Sequence, residues 1–313
     1  MARPLRLEFP GALYHITARG NAQQSIFVDD TDRQQFIRLL GREISQQHWR
    51  CYTYCLMGNH YHLVIETPEP NLSRGLKRLH GTYTQWFNRR HHRVGHVLQG
   101  RFKSLLVEKE NYLQELCRYV VLNPVRAGMV NTVGAWAWSS YRATVGTHAA
   151  PDWLDTATVL SLFESNMANA RMAYQRFVTE GIHQPSPWKD VTGQIFLGGP
   201  DFLERIEQLM RGKPVTNVPT VQTRPTRLTP EDVIRHVAVA YRLHPGALLN
   251  RSHREAYQTA VYLLRRAANE PLQTVAVRFR ISPSRVSKIQ TALEAAALTP
   301  PQARLFAKCK VKN

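Results

Sequence analysis

The chain has 313 residues, 43% of them hydrophobic, and carries 41 Lys and Arg against 23 Asp and Glu, a formal net charge of +18. That length exceeds the usual single domain, so two domains or one domain with an appendage are expected, and an excess of positive charge this large points to a polyanionic partner, with nucleic acid first among them. A membrane is a poorer partner, because the basic residues are interleaved with Trp, Tyr, Phe and His, no apolar run approaches the roughly 20 residues of a span, and Met1 to Arg6 lacks an apolar signal region; a cytoplasmic protein is expected.

Along the chain, Leu13 to Arg19 alternates as a first strand and ends at the turn signal Gly20-Asn21. Asp30 to Gln47 carries Phe36, Ile37, Leu39, Leu40 and Ile44 at helical spacing. Trp49 to Met57 reads as a second strand, and Met57-Gly58-Asn59 turns it into a third, so the two should form a hairpin. Asn71 can cap a helix running to about Arg90, Ser104 to Val107 is a short strand, and Asn111 opens a helix through Leu122 that Pro124 ends. The order strand, helix, strand, strand, helix, strand, helix predicts an α+β fold, a ferredoxin-like (split βαβ) palm with an antiparallel sheet and one extra helix. This domain is assigned residues 1–150, with Trp136 to Tyr141 as a strap packed on it.

Residues 151–212 read as a helical extension: two amphipathic helices from Asp152 to Gly181, a break at Ile195 to Pro200, and a helix from Asp201 to Met210. Residues 213–227, rich in Pro, Thr and Val, form a predicted linker to an all-α domain over 228–313. In that domain Thr229-Pro230-Glu231-Asp232 is a helix start. Helices at about Ser252 to Ala268 and Leu272 to Phe279 precede a turn at Arg280-Ile281 and a helix capped by Ser282 with Pro283 in its first position. This is a helix-turn-helix pattern whose second helix opens with Ser284, Arg285, Ser287 and Lys288, residue types that reach phosphates and base edges. Its helix layout is similar to the carboxy-terminal DNA-binding domain of bacterial replication initiators.

Between Glu69 and Glu108 there is no acidic residue, while Arg74, Lys77, Arg78, Arg89, Arg90, Arg93, Arg101 and Lys103 all occur there. A basic run is often only a solvated face. Here Tyr83, Trp86, Phe87 and Phe102 are interleaved with it, a composition that suits phosphate contact combined with base stacking.

On a strand, His60 and His62 point to one face, with Tyr61, Leu63 and Ile65 on the other, so two imidazoles are offered together to a divalent cation. A satisfied core pair is the plain alternative. A zinc site is a third reading, because a regular strand would also put Cys51 and Cys55 on one face, but C-x3-C-x4-H-x-H is unlike common zinc modules and the cysteines alternate with Tyr52 and Tyr54 as core packing would. With Cys117 and Cys309 they are too few for a disulfide framework. Further on, Tyr119 and Asn123 are four apart on a helix and share a face, so both can look into one site.

His60-Tyr61-His62 resembles the His-hydrophobic-His motif of the HUH nucleases, and Tyr119 with Asn123-Pro124 resembles the catalytic helix of the IS200-type single-tyrosine (Y1) transposases, REP-associated subgroup. The resemblance runs from about Leu5 to Tyr141. It implies an enzyme that cuts and transfers single-stranded DNA, often at a hairpin, with Mg2+ or Mn2+ as cofactor. His60 and His62 would be metal ligands, Tyr119 the nucleophile forming a 5′-phosphotyrosine, and Asn123, a shorter arm than Gln, the polar residue that completes the metal site. Arg118 or Lys103 could favour an ionised Tyr119. Two other readings stand beside this one: a non-catalytic hairpin-DNA-binding regulator on the same scaffold, and a rolling-circle or relaxase-type nickase. Related insertion-sequence enzymes exchange the tyrosine helix in dimers, so monomer and homodimer are both compatible.

Overall fold

The computed structural model describes residues 6–210, 228–268, 270–309 and 311. These fall in two compact units, one up to residue 210 and one from residue 228. The linker expected over 213–227 lies outside the described residues.

In the first unit β1 (Ala12–Arg19) is followed by α1 (Asp30–Gln47), β2 (Arg50–Leu56), β3 (His60–Thr67), α2 (Leu72–Arg90), β4 (Lys103–Val107) and α3 (Lys109–Arg126). Then come α4 (Tyr141–Thr144), α5 (Thr156–Ser161), α6 (Met167–Glu180), β5 (Val191–Thr192), β6 (Phe196–Leu197) and α7 (Pro200–Met210). The strands form a six-stranded sheet in the order β2-β3-β1-β4-β6-β5. One face packs on α1 and α2 through Phe36, Leu40, Leu76, Leu79 and Tyr83, and the other packs on α3 to α6 through Leu116, Val120, Val121 and Tyr174.

The sheet is mixed, which corrects the antiparallel expectation. The strands β2-β3-β1-β4 pair antiparallel, but β6 runs parallel to β4. The stretch read as a break at 195–200 contributes this edge: Leu106 N–H donates to Ile195 O at 2.7 Å and Glu108 N–H to Leu197 O at 2.8 Å. Phe196 and Leu197, both fully buried, enter the cores on opposite faces. Unpaired strand edges are costly, and this hairpin closes the β4 edge. Gly198-Gly199-Pro200 hid the short strand in a sequence reading dominated by turn residues.

A second correction concerns the cysteines. The β2–β3 register shifts between Cys51 and Thr53, a bulge that puts Cys51 and Tyr54 on the α1/α2 face and Tyr52 and Cys55 on the α3 face. The extra residue reverses the alternation, so the shared face that the zinc reading requires does not exist. Burial pushes both thiols up.

The strap from Trp136 to Tyr141 packs on β2 as expected: Leu56 N–H donates to Trp138 O at 2.8 Å, and the Thr53 and Ser140 hydroxyls are bonded at 2.7 Å. The extension from 151 onward packs with it, and Leu154 forms an isolated bridge with Cys51. The second unit consists of α8 (Pro230–Ala240), α9 (Arg254–Arg266), α10 (Leu272–Arg278), α11 (Pro283–Ala295) and α12 (Pro300–Lys308) around Val237, Val261, Leu264 and Val286. Thr229 closes a capping box with Asp232, and Ser282 caps α11 by accepting from Arg285 N–H.

Asn71 stands at the start of α2, but its side chain does not cap the helix. Its Oδ1 accepts from Trp49 Nε1 at 2.6 Å and its Nδ2 donates to Gln47 O at 3.2 Å, tying α2 to the end of α1. Removing it strands a buried indole N–H. Asn71→Ala is expected to lower stability by about 1–3 kcal/mol, and Trp49→Phe in the same chain should recover part of that loss. Denaturant unfolding followed by tryptophan emission reads this unit selectively, because all six Trp lie before residue 189; additive losses would contradict the coupling.

Candidate active site

The site is built where β3 and α3 meet. Tyr61, Leu63 and Ile65 are fully buried against α1 and α2, which fixes the pleat and turns His60 and His62 to the α3 face. The imidazole centroids are 5.1 Å apart. The helix α3 is held to the same face by Leu116, Cys117, Val120 and Val121, all fully buried. Tyr119, Asn123 and Arg126 recur on its half-exposed side. The Tyr119 ring stands edge-on to His62, centroid to centroid 6.2 Å, and a cleft is lined jointly by His60, Tyr119, Asn123 and Arg126. The structure thus brings together all four residues singled out for the metal and the nucleophile.

The helix does not stop at Leu122, as expected, but runs through Pro124 to Arg126. Proline has no N–H for the carbonyl four residues back, which here is Val120 O. Asn123 Nδ2 donates to that carbonyl at 3.2 Å, and to Tyr119 O at 3.0 Å. The Asn-Pro pair is therefore self-compensating, and it keeps the helix regular past Tyr119. The amide nitrogen is committed to the backbone, while Oδ1 makes no hydrogen bond among the described residues.

Three further residues complete the environment. His15, on β1, is bonded through Nε2 to His62 Nδ1 at 3.0 Å and stacks on His62 at 5.2 Å. Trp188 stacks on His15 at 4.6 Å and stands edge-on to Tyr119 at 4.7 Å. Arg126 lies with its guanidinium carbon 5.2 Å from the Tyr119 ring centre and donates to Gly181 O and Gln184 O. Arg126, not Arg118, is thus the arginine over the tyrosine ring; Arg118 pairs with Glu115 and lies on Phe177.

Burial holds the His15 imidazole down at about 3. It also holds His62 well below the ordinary histidine range, with His15, His60 and Arg19 adding to it, and lowers His60, where Arg19 contributes. The three rings are neutral at pH 7 and offer lone pairs. His60 Nδ1 is bonded to Asn59 Oδ1 at 2.7 Å, so on His60 and on His62 it is Nε2 that is left without a hydrogen bond among the described residues. No group of three or more His, Cys, Asp or Glu side chains among the described residues is arranged to hold a metal ion. Two imidazole nitrogens and the Asn123 carbonyl oxygen are the donors present, and that set suits a divalent cation that completes its shell from a phosphate and water.

The predicted basic residues divide into two groups. Arg90 is tied to Asp29 and Asp32, Arg78 to Glu43, and Arg74 to Gln47. Lys77, Arg89, Arg101 and Lys103 are exposed, without a hydrogen bond or ion pair among the described residues. In the second unit Ser284, Arg285 and Lys288 are exposed along the start of α11. His15, Arg126 and Trp188 escaped the sequence reading. His15 shares the phase of Thr17, which lies opposite His62 in the register, and Arg126 follows Tyr119 by two helical turns, so both carried a signal. Trp188 carried none.

Residues 9–123 match the family model described as Transposase IS200 like, a stretch that contains His60, His62, Tyr119 and Asn123. Among individual proteins, the chain is similar to a putative REP-associated tyrosine transposase of Haemophilus influenzae, 28% identical over 111 residues that cover 32% of this chain. The match spans 63% of that relative's length. A solved structure of a REP-associated tyrosine transposase bound to a REP hairpin aligns with a TM-score of 0.41 and 18% identity, over 48% of this chain and 89% of that one.

The pairing of Asn123 with Val120 O gives a direct test of the helix account. Asn123→Asp replaces two amide donors by a carboxylate facing carbonyl oxygens and should cost about 1–3 kcal/mol. Tryptophan-detected unfolding at neutral pH measures it; unchanged stability would show that the carbonyl needs no side-chain donor.

Proposed function

We propose that this chain is a metal-dependent single-strand DNA endonuclease and strand transferase of the HUH-tyrosine class, acting at hairpin or repeat DNA through a 5′-phosphotyrosine. The observation that carries the reading is the meeting of Tyr119 with His62 across the α3–β3 junction, beside a cleft that Tyr119 lines together with His60, Asn123 and Arg126. The strand order β2-β3-β1-β4 around two helices on one face supports a ferredoxin-like palm within residues 1–150.

Tyr119 Oη attacks the scissile phosphorus, a Tyr–O–P bond forms, and the P–O3′ bond breaks, releasing a protonated 3′-oxygen. The phosphodiester energy is kept in the new ester, which a 3′-hydroxyl can reverse. His60 and His62, with Asn123 Oδ1, would hold Mg2+ or Mn2+, which supplies Lewis-acid polarisation of the phosphate and charge stabilisation. His15 orients the His62 ring, and in the tautomer in which His62 Nδ1–H donates to His15 Nε2 the lone pair lies on His62 Nε2. Arg126 places a fixed positive charge beside the phenol.

The second unit, 228–313, is proposed to bind DNA as a helix-turn-helix. Its support is the α10–turn–α11 geometry, with Arg280 in a left-handed turn and Ser284, Arg285 and Lys288 exposed on the helix that follows. The extension assigned to 151–212 supplies Trp188, and 213–227 would be the linker.

A labelled hairpin-oligonucleotide library incubated with the protein and Mn2+ tests the reaction. Wild type is expected to nick and to form a covalent adduct, Tyr119→Phe to bind without either, and His62→Ala to bind with nicking strongly reduced. Binding by wild type with no nick and no adduct would sink the enzyme reading and leave a DNA-binding regulator.

A further inference from the structure

Trp188 lies at the divide between two cavities. On one side is the cleft of Tyr119, His60 and Arg126. On the other is a larger cleft of about 690 Å³ that reaches from His62 and His15 along β1 and β4. The two candidate metal-binding histidines thus line different cavities. The walls of the larger cleft include Arg6, Arg101 and Lys103, and among the described residues none that lines it is acidic. Its aromatic surfaces are Trp188 on one wall and Phe102 on another, where the Arg6 guanidinium lies 3.8 Å from the ring centre and donates to Phe102 O.

Gln194 lines the same cleft from the tight turn between β5 and β6. In that turn Ile195 N–H donates to Thr192 O, and Gly193 and Gln194 both have positive φ, 61° and 69°. Glycine or asparagine is the usual residue at such a position, so the glutamine carries a conformational cost. Its carboxamide offers a donor pair and an acceptor to whatever fills the cleft.

Cations without carboxylates, stacking surfaces on two walls and one amide reader are the composition of a single-stranded nucleotide site. We propose that the larger cleft is a subsite for the unpaired nucleotide next to the scissile phosphate. Its base stacks against Trp188 and the Arg6–Phe102 pair, Gln194 reads the base edge, and Arg101 and Lys103 take the backbone phosphate. This rests on the endonuclease reading for where the scissile phosphate sits. Trp188 is then a positioning residue that leads the strand past the phenol of Tyr119.

The test uses the full chain with Tyr119→Phe, so that nothing is cut, and a random single-stranded DNA pool in which 5-iodouracil replaces thymine. Irradiation followed by peptide mapping is expected to place a crosslink on the peptide that contains Trp188. Trp188→Ala should weaken binding of the pool by about fivefold to 150-fold, the effect of one base–aromatic stack, and Trp188→Phe should restore most of it. An unchanged tryptophan-detected melting profile separates this from unfolding. Gln194→Ala should remove a base preference that sequencing of the retained pool shows for the parent protein. Crosslinks that avoid Trp188, or a Trp188→Ala protein that binds as tightly as its parent, would overturn the subsite, and an unaltered base preference would overturn the role of Gln194. Neither readout needs cleavage, so a crosslink at Trp188 from a chain whose wild type never nicks would fail the endonuclease reading alone.

Discussion

Everything at the site depends on the pleat of β3. Burial of Tyr61, Leu63 and Ile65 on one side is what turns His60 and His62 to the other, and a slip of one residue would drive both imidazoles into the α1/α2 core and pull three large apolar groups out of it. Burying such side chains is worth roughly 1.5–3 kcal/mol each, so the register is held by several times the energy of any hydrogen bond the histidines make. The pairing of β3 with β1 transmits the same constraint, setting Thr17 opposite His62 and bringing His15 into contact with the His62 ring.

Onto that fixed strand the chain docks a helix that must present a phenol and remain straight beyond it. Pro124 threatens that continuity, and Asn123 answers it by donating to Val120 O, the carbonyl that proline leaves without a partner. One short amide therefore serves the helix with its nitrogen and leaves its oxygen beside the cleft. Arg126, one turn further, reaches Gly181 O and Gln184 O and so ties the approach to Trp188 to the helix that carries Tyr119.

The parts of this arrangement that were legible in the sequence are those governed by local period. Alternation placed His60 and His62, and the four-residue spacing placed Tyr119 with Asn123, because both are properties of a single element. What was lost needed information from a second element. The bulge between Cys51 and Thr53 reverses a face without any glycine to announce it, and β6 becomes a strand only because β4 offers an unpaired edge. Trp188 belongs to a short turn of helix without periodicity, and only tertiary packing brings it to Tyr119. The basic run shows the same limit in another form: its charge was visible, but the commitment of Arg90, Arg78 and Arg74 to neighbours on α1 was not.

The central claim is that Tyr119 itself becomes the covalent link to DNA. The most direct measurement is mass spectrometry of the protein after reaction with hairpin DNA and Mn2+, nuclease trimming and proteolysis. The account predicts one modified peptide, containing Tyr119 and carrying a nucleotide joined through its 5′-phosphate. A nucleotide attached to any other residue, or nicked DNA from which no modified peptide can be recovered, would contradict it.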